Sequence, residues 1–268
     1  MPSPWSDLSR PRLSEKRLHH DLAGDLWRRV SVVETTVSTN ADVAEAARGG
    51  EPEGFVLVAE QQTAGRGRLD RQWESPARAG LTFSALLRPS LEPAQLSLLP
   101  LIAGLATVEA LLAVGNVEAT LKWPNDVLVD GFKLGGLLVE LAGGAAVVGI
   151  GLNVSMREDE LPVPTATSLL LCGGLTDREP LLKEVLRALG RRYTAWRWSG
   201  DPGSVIPAYR ERCETIGREV EIELPGGDMV RGTATDVDDT GRLVVEDGET
   251  GQQRAWLVGD VTHVRKAQ

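Results

Sequence analysis

Between residues 119 and 154 the chain runs through short apolar stretches broken at Pro124-Asn125-Asp126, Asp130-Gly131 and Gly143-Gly144. Strand-length runs closed by turn residues at this spacing predict consecutive antiparallel hairpins and a local antiparallel sheet. Other strands are expected at 31–37, at the buried run Gly54 to Glu60, and at Leu81 to Leu87.

Helical spacing appears on both sides of these runs. Leu18, Leu22 and Leu26, followed by Trp27 and Val30, predict one amphipathic helix from Ser14 onward. Ser38-Thr39-Asn40 cap a helix over Ala41 to Arg48, which Gly49-Gly50 ends. An apolar helix is expected around 94–114, and a stripe of Leu182, Val185, Leu186, Leu189, Tyr193 and Trp196 marks another over 177–198. A short helix over 203–215 is expected despite Pro207. Near residue 216 the composition shifts: Glu219 to Leu224 alternates polar and apolar, Pro225-Gly226-Gly227-Asp228 turns, and further short runs follow. This pattern predicts a small all-β domain. The expected organisation is a tail and helix over 1–30, with residues 1–12 a loose proline-bearing tail, a main domain over 31–215, and a small β domain over 216–268.

The chain carries a formal net charge of -9, which argues against broad nucleic-acid or anionic-membrane binding. Its two cysteines, Cys172 and Cys213, and its three histidines, His19, His20 and His263, have no zinc-site spacing and no disulfide framework. A reducing, cytoplasmic setting is expected, with no signal peptide visible at the N-terminus. The apolar region Leu96 to Val114 is interrupted by Ser97, Pro100, Gly104 and Glu109, and reads as a buried helix rather than a membrane span.

Against that acidic background, Gln61-Gln62-Thr63-Ala64-Gly65-Arg66-Gly67-Arg68-Leu69-Asp70-Arg71-Gln72-Trp73 is a local positive site. Its glycines are expected to free the backbone for unusual φ values and its arginines to supply forked donors to a phosphate or carboxylate. The run is not a P-loop, and Gly-Arg-Gly-Arg by itself is also compatible with a solvated surface loop. Three further runs have two readings each. Lys133, beside a strand with apolar neighbours, either meets an anion or snorkels at a strand end. Pro124-Asn125-Asp126 is a site element or an ordinary turn. Gly149-Ile150-Gly151-Leu152-Asn153 presents an amide at a strand end or forms a bulge near a turn.

In this order, Ser-Thr-Asn, Gln-x-Ala-Gly-Arg-Gly-Arg-x-x-Arg-x-Trp, Lys-Trp-Pro-Asn-Asp, Lys-x-Gly-Gly and Gly-x-Gly-x-Asn are far more specific than any one alone. Over about residues 31–268 the chain resembles the biotin protein ligases, in the branch without an N-terminal DNA-binding repressor domain. The resemblance implies an α+β fold: a class II aminoacyl-tRNA synthetase-like catalytic domain, a mixed sheet flanked by helices, followed by a small SH3-like β-barrel. It implies activation of biotin by ATP, with Mg2+ bound to the nucleotide and no direct protein ligands to the metal. Transfer then goes to a lysine of a biotin carboxyl carrier domain of acetyl- or acyl-CoA carboxylase, with no nucleic-acid or membrane partner.

The resemblance also assigns residues. Ser38, Thr39, Asn40, Gln62, Arg66, Gly67, Arg68, Lys133, Gly136 and Leu138 match the biotin site. Arg66, Arg68, Arg71, Trp73, Asn125, Lys133 and Asn153 match the nucleotide side, with Trp73 stacking on adenine. Lys133, Arg68 and Asp126 carry the catalytic roles, Asp126 as the group that orients the acceptor amine or receives its proton. Many relatives have glycine where this chain has Asp70, which puts a negative charge beside the loop arginines. The rivals are a lipoate or octanoate ligase on the same fold and a non-catalytic nucleic-acid-binding protein using the arginine loop and the small barrel.

Overall fold

The computed structural model describes residues 10–264 except 25, 69–70, 93–94, 225–226 and 258. In chain order its elements are α1 (Glu15–Leu22), β1 (Arg29–Val33), α2 (Thr39–Arg48), β2 (Phe55–Ala59), β3 (Gly65–Arg66), β4 (Gln72–Trp73) and β5 (Gly80–Leu87). Then come α3 (Leu99–Ala113), β6 (Thr120–Lys122), β7 (Asp126–Val129), β8 (Phe132–Ala142), β9 (Ala145–Asn153), α4 (Arg178–Arg197) and α5 (Ile206–Arg212). The last five strands are β10 (Glu219–Glu223), β11 (Met229–Val237), β12 (Leu243–Glu246), β13 (Gln253–Trp256) and β14 (Asp260–His263).

The hairpins run antiparallel from β6 to β9, but their sheet is not local. Strand β9 continues the hydrogen bonding onto β5 over eight residue pairs, and the described strands join in the order β1-β2-β5-β9-β8-β7-β6. Only β1 and β2 pair in parallel, so the sheet is mixed. Every residue of β5 and β9 is buried, as central strands covered on both faces must be. The reach of the hairpins could not be read locally, because β5 and β9 are held together by burial rather than by a turn.

Helix α3 sits on one face between the sheet and α4 and is apolar almost all round. A 3-10 turn over Gln95–Leu98 leads into it, and Pro100 occupies its first turn, where a missing N–H costs nothing. On the other face, Val43, Ala44 and Ala47 of α2 pack on Phe55, Leu57, Leu86 and Val147.

Three expectations change at the N-terminal end. Residues 10–12 are not loose: Arg10 donates to the Ser155 carbonyl and to Glu160, and the Pro11 carbonyl accepts from Arg178. Residues 1–9 lie outside the described residues. Beneath this segment a fully buried ion pair brings Arg178 Nη1 within 2.7 Å of Glu60 Oε2, and the Leu13 N–H donates to Glu60 Oε1. Helix α1 ends at Leu22, before Leu26, and the chain turns through Gly24 at φ 107°, a conformation suited to glycine. Strand β1 begins two residues early and stops at Val33, after which Thr36 makes a single parallel bridge to Gln62.

The second sheet, in the order β13-β12-β11-β10-β14, is antiparallel throughout. Trp123 fastens it to the first: the indole N–H donates to the Gly241 carbonyl and the backbone N–H to Thr215 Oγ1. Thr215 Oγ1 also lies 3.1 Å from His263 Nε2, and Arg210 pairs with Asp236 across the same junction. Trp123 is followed by a cis peptide bond to Pro124.

Candidate functional site

Beside β8 and β9 a cleft opens between the N-terminus of α2, the β3–β4 hairpin and the turn that precedes β7. Its inner end is built from side chains that satisfy one another. Gln62 Oε1 accepts from the Thr39 backbone N–H and hydroxyl at 2.8 and 3.0 Å. Ser84 Oγ, fully buried on β5, lies 2.7 Å from Thr39 Oγ1 and 2.6 Å from Asn40 Oδ1, while Asn40 Nδ2 donates to Glu140. Ser38 caps α2 through a bond from the Ala41 N–H. The first donors of the helix are therefore already engaged within the protein, and hydroxyl and amide groups face the cleft.

The floor of the cleft is flat because it is glycine. A Cβ at Gly149 would collide with the Asn40 amide, and one at Gly151 would stand 2.7 Å from the Trp73 indole. Strand β9 keeps an unbroken register with β5 from Ala146 to Asn153, so this run is not a bulge. Its significance lies in Gly149 and Gly151 more than in its terminal amide. Trp73 lies over Gly151 and Gly136 with its Nε1 buried and unpartnered.

The outer end carries the cations, and their setting differs from a bare positive site. Lys133 Nζ lies 2.6 Å from Asp126 Oδ1, Arg66 reaches Glu140 at 3.5 Å, and Arg71 pairs with Asp260 of β14. Arg68 approaches Asn125 Oδ1 at 3.5 Å, and its burial lowers the pKa of the guanidinium, opposed by the charges of Asp260 and Asp126. The Lys133–Asp126 pair depends on local strand geometry. The register between β7 and β8 shifts between Val127 and Leu128, leaving Leu134 as an extra residue, so that Lys133 comes level with Leu128. Its backbone N–H donates to the Thr165 carbonyl, and its carbonyl accepts from the Thr167 N–H.

The loop glycines act differently from expectation. Gly65 and Gly67 both keep ordinary backbone angles. Gly65 is needed for close approach, since a Cβ there would meet the Trp73 carbonyl at 2.5 Å and Gln62 Nε2 at 2.6 Å. Gly67 donates to the Arg71 carbonyl at 2.7 Å, closing the turn. Leu69 and Asp70 lie outside the described residues, and the glycine-to-aspartate departure lies there with them.

Of the residues expected from sequence, Ser38, Thr39, Asn40, Gln62, Arg66, Gly67, Arg68, Arg71, Trp73, Asn125, Asp126, Lys133, Gly136 and Leu138 line this one cleft. Asn153 does not: it is buried at the end of β9, and its amide donates to the Thr167 carbonyl. It supports the 165–167 segment that holds the Lys133 backbone. Sequence reasoning missed Ser84, Glu140 and Asp260, and named Gly149 only as part of a run. It also gave no separate role to Lys122, whose burial lowers its pKa despite the charges of Asp126 and Asp260.

Comparison with known proteins gives a consistent picture. The profile of the Biotin/lipoate A/B protein ligase family matches residues 32–156, and that of the Biotin protein ligase C terminal domain matches 215–264. The chain is 45% identical to a biotin--[acetyl-CoA-carboxylase] ligase of Mycobacterium tuberculosis, over 97% of this chain and 98% of that one. It is 30% identical to the bifunctional ligase/repressor BirA of Bacillus spizizenii, covering 89% of this chain and 76% of the relative. Among solved structures, the Aquifex aeolicus biotin protein ligase in complex with biotin and ATP superposes with a TM-score of 0.74 at 29% identity, covering 90% of this chain and all of that one.

Proposed function

This chain belongs to the biotin protein ligase family, and from that premise we propose how its own side chains carry the reaction. The substrates are biotin and ATP. A carboxylate oxygen of biotin attacks the α-phosphorus of ATP, pyrophosphate leaves, and biotinyl-5'-AMP forms. The amine of a carrier lysine then attacks the activated carbonyl carbon, AMP leaves with the bonding pair, and the amine gives up a proton. The acceptor is a biotin carboxyl carrier protein or domain of an acetyl- or acyl-CoA carboxylase, a reading supported by the name of the M. tuberculosis relative.

Ser38, Thr39, Asn40 and Gln62 take the ureido ring at the inner end, with Gly136 and Leu138 as its wall. Arg66, Gly67 and Arg68 close over the biotin carboxylate, and Arg71, Trp73 and Asn125 receive the nucleotide. Asn153 acts through the 165–167 segment instead of touching the nucleotide, in keeping with its burial away from the cleft.

The observation that carries this assignment is Lys133 held against Asp126 where the loop arginines meet the inner network. Nucleophile and electrophile are both anionic, and two unit charges about 4 Å apart at an effective dielectric of about 20 repel by about 4 kcal/mol. Lys133, moving from Asp126 to the anions, relieves that repulsion where charge develops. Asp126 is thereby released and in the second step orients the acceptor amine or takes its proton. Mg2+, carried on the nucleotide phosphates, would supply neutralisation of their charge beside Lys133 and the loop arginines.

The mixed anhydride must be kept from water until the carrier lysine arrives. The β3–β4 hairpin, joined by only two residue pairs, is the element that can close over it. A cytoplasmic location goes with this reading, supported by the free thiols Cys172 and Cys213.

Pyrophosphate release from ATP with biotin, without biotin and with lipoate tests the first step. Strict dependence on biotin is expected, and equal release with lipoate would overturn the substrate assignment. Biotin transfer to a carrier domain, read by mass, tests the second.

A further inference from the structure

Asp260 opens the last strand of the small sheet, yet its carboxylate lines the cleft and pairs with Arg71, 189 residues earlier in the chain. Its backbone is fixed opposite Glu223 in the β10–β14 ladder, so the carboxylate projects from a set position on the small domain. Arg71 is 59% exposed and Asp260 29%, which leaves the pair open to an incoming ion. The charge of Asp260 also acts on Arg68 and Lys122, favouring the charged form of each. A carboxylate facing several cations presents two acceptor oxygens to forked donors, as a phosphate would.

Given the nucleotide-binding role proposed above for Arg71, we propose that Asp260 is a resident stand-in for the phosphates of ATP. It pairs with Arg71 from the small domain and is displaced from it when the β- and γ-phosphates bind. Asp260 is thus a positioning residue that works through Arg71. Because its charge competes with that of the ligand, it weakens the hold of the site on free pyrophosphate and favours release of that product.

The test is calorimetric titration of inorganic pyrophosphate into the wild-type protein, Asp260→Asn, Arg71→Ala and the double variant, with thermal melts confirming that each is folded. Asp260→Asn is expected to bind pyrophosphate about fivefold tighter, the size of a solvent-accessible ion pair. Arg71→Ala is expected to bind more weakly, and the double variant to match Arg71→Ala within about twofold. A merely structural Asp260 would give unchanged or weaker binding in Asp260→Asn, or the same gain with Arg71 absent, and either result overturns the exchange. Asp260→Ser provides a second variant should asparagine disturb the strand. The titration requires no turnover, so failure of biotin-dependent pyrophosphate release would count against the reaction and not against this exchange.

Discussion

At the inner end of the cleft, Ser84, Thr39, Asn40 and Gln62 hold one another through bonds of 2.6–3.0 Å, with Ser84, Thr39 and Asn40 buried. At the outer end, Lys133, Arg66 and Arg71 are each matched with a carboxylate from another element, and Arg66 and Arg71 are half exposed or more. A neutral, rigid ligand group suits the first, where ordering has been completed during folding. An anion suits the second, because it can take the place of a carboxylate without leaving any cation unpaired. One site thus separates selection by shape from selection by charge.

Substitutions at the two ends should fail in different ways. The largest effect is expected from Lys133→Ala, a fall of about a thousandfold in biotin-dependent pyrophosphate release with little change in melting temperature. Near-normal release would remove Lys133 from the chemistry. At the inner end, Gly149→Ala should raise the KM for biotin by about tenfold to a hundredfold and also lower the melting temperature, since the new methyl must displace the Asn40 amide. An altered KM for ATP with biotin affinity intact would erase the distinction between the ends. Arg68→Gly should raise the KM for ATP by about tenfold and let biotinyl-adenylate escape faster into solution, with the melting temperature unmoved. A rate of escape equal to that of the wild type would show that the hairpin is not the lid.

The smallest effect concerns the junction behind the outer end. Burial holds His263 at about 4, with Lys122 and Arg218 adding to the shift and Glu214 and Asp126 opposing it. The folded protein therefore keeps His263 neutral, while the unfolded chain takes up a proton near pH 6.5. Stability from this group is complete above pH 6.5 and declines as the pH falls towards 4. His263→Gln, which keeps a polar partner for Thr215, should melt with a shallower decline between pH 6.5 and 4. Parallel melting profiles for the two proteins would remove His263 from the pH response.

What the sequence disclosed and what it hid differ for physical reasons. Ser38 and the glycines after Arg48 mark α2 because caps are local chemistry, and Lys133 could be singled out because a lysine beside apolar neighbours either meets an anion or snorkels. The partner itself, Asp126, read equally well as part of a turn, and the strand irregularity that brings the two level leaves no mark in the residues. Ser84 is a single hydroxyl within a wholly buried strand and gives no signal until α2 is laid over it. Asp260 follows from the docking of two sheets, which no local pattern encodes. The reading of Asn153 as a residue at the nucleotide rested on its place in a run whose glycines proved to be what shapes the cleft. The mixed sheet could not be seen from its hairpins because its centre is held by burial.

Helix α3, with its preceding turn, spans Gln95–Ala113, long and apolar enough in composition to cross a membrane, yet two thirds of it is buried within the fold. Most of what covers it, from β6 to α4, is made after it. Ala113 and Arg197 are more than eighty residues apart, so at roughly 5–20 residues per second the helix waits on the order of 4–17 s during synthesis before α4 is complete. For that interval the newborn chain carries an apolar helix before most of its covering partners exist.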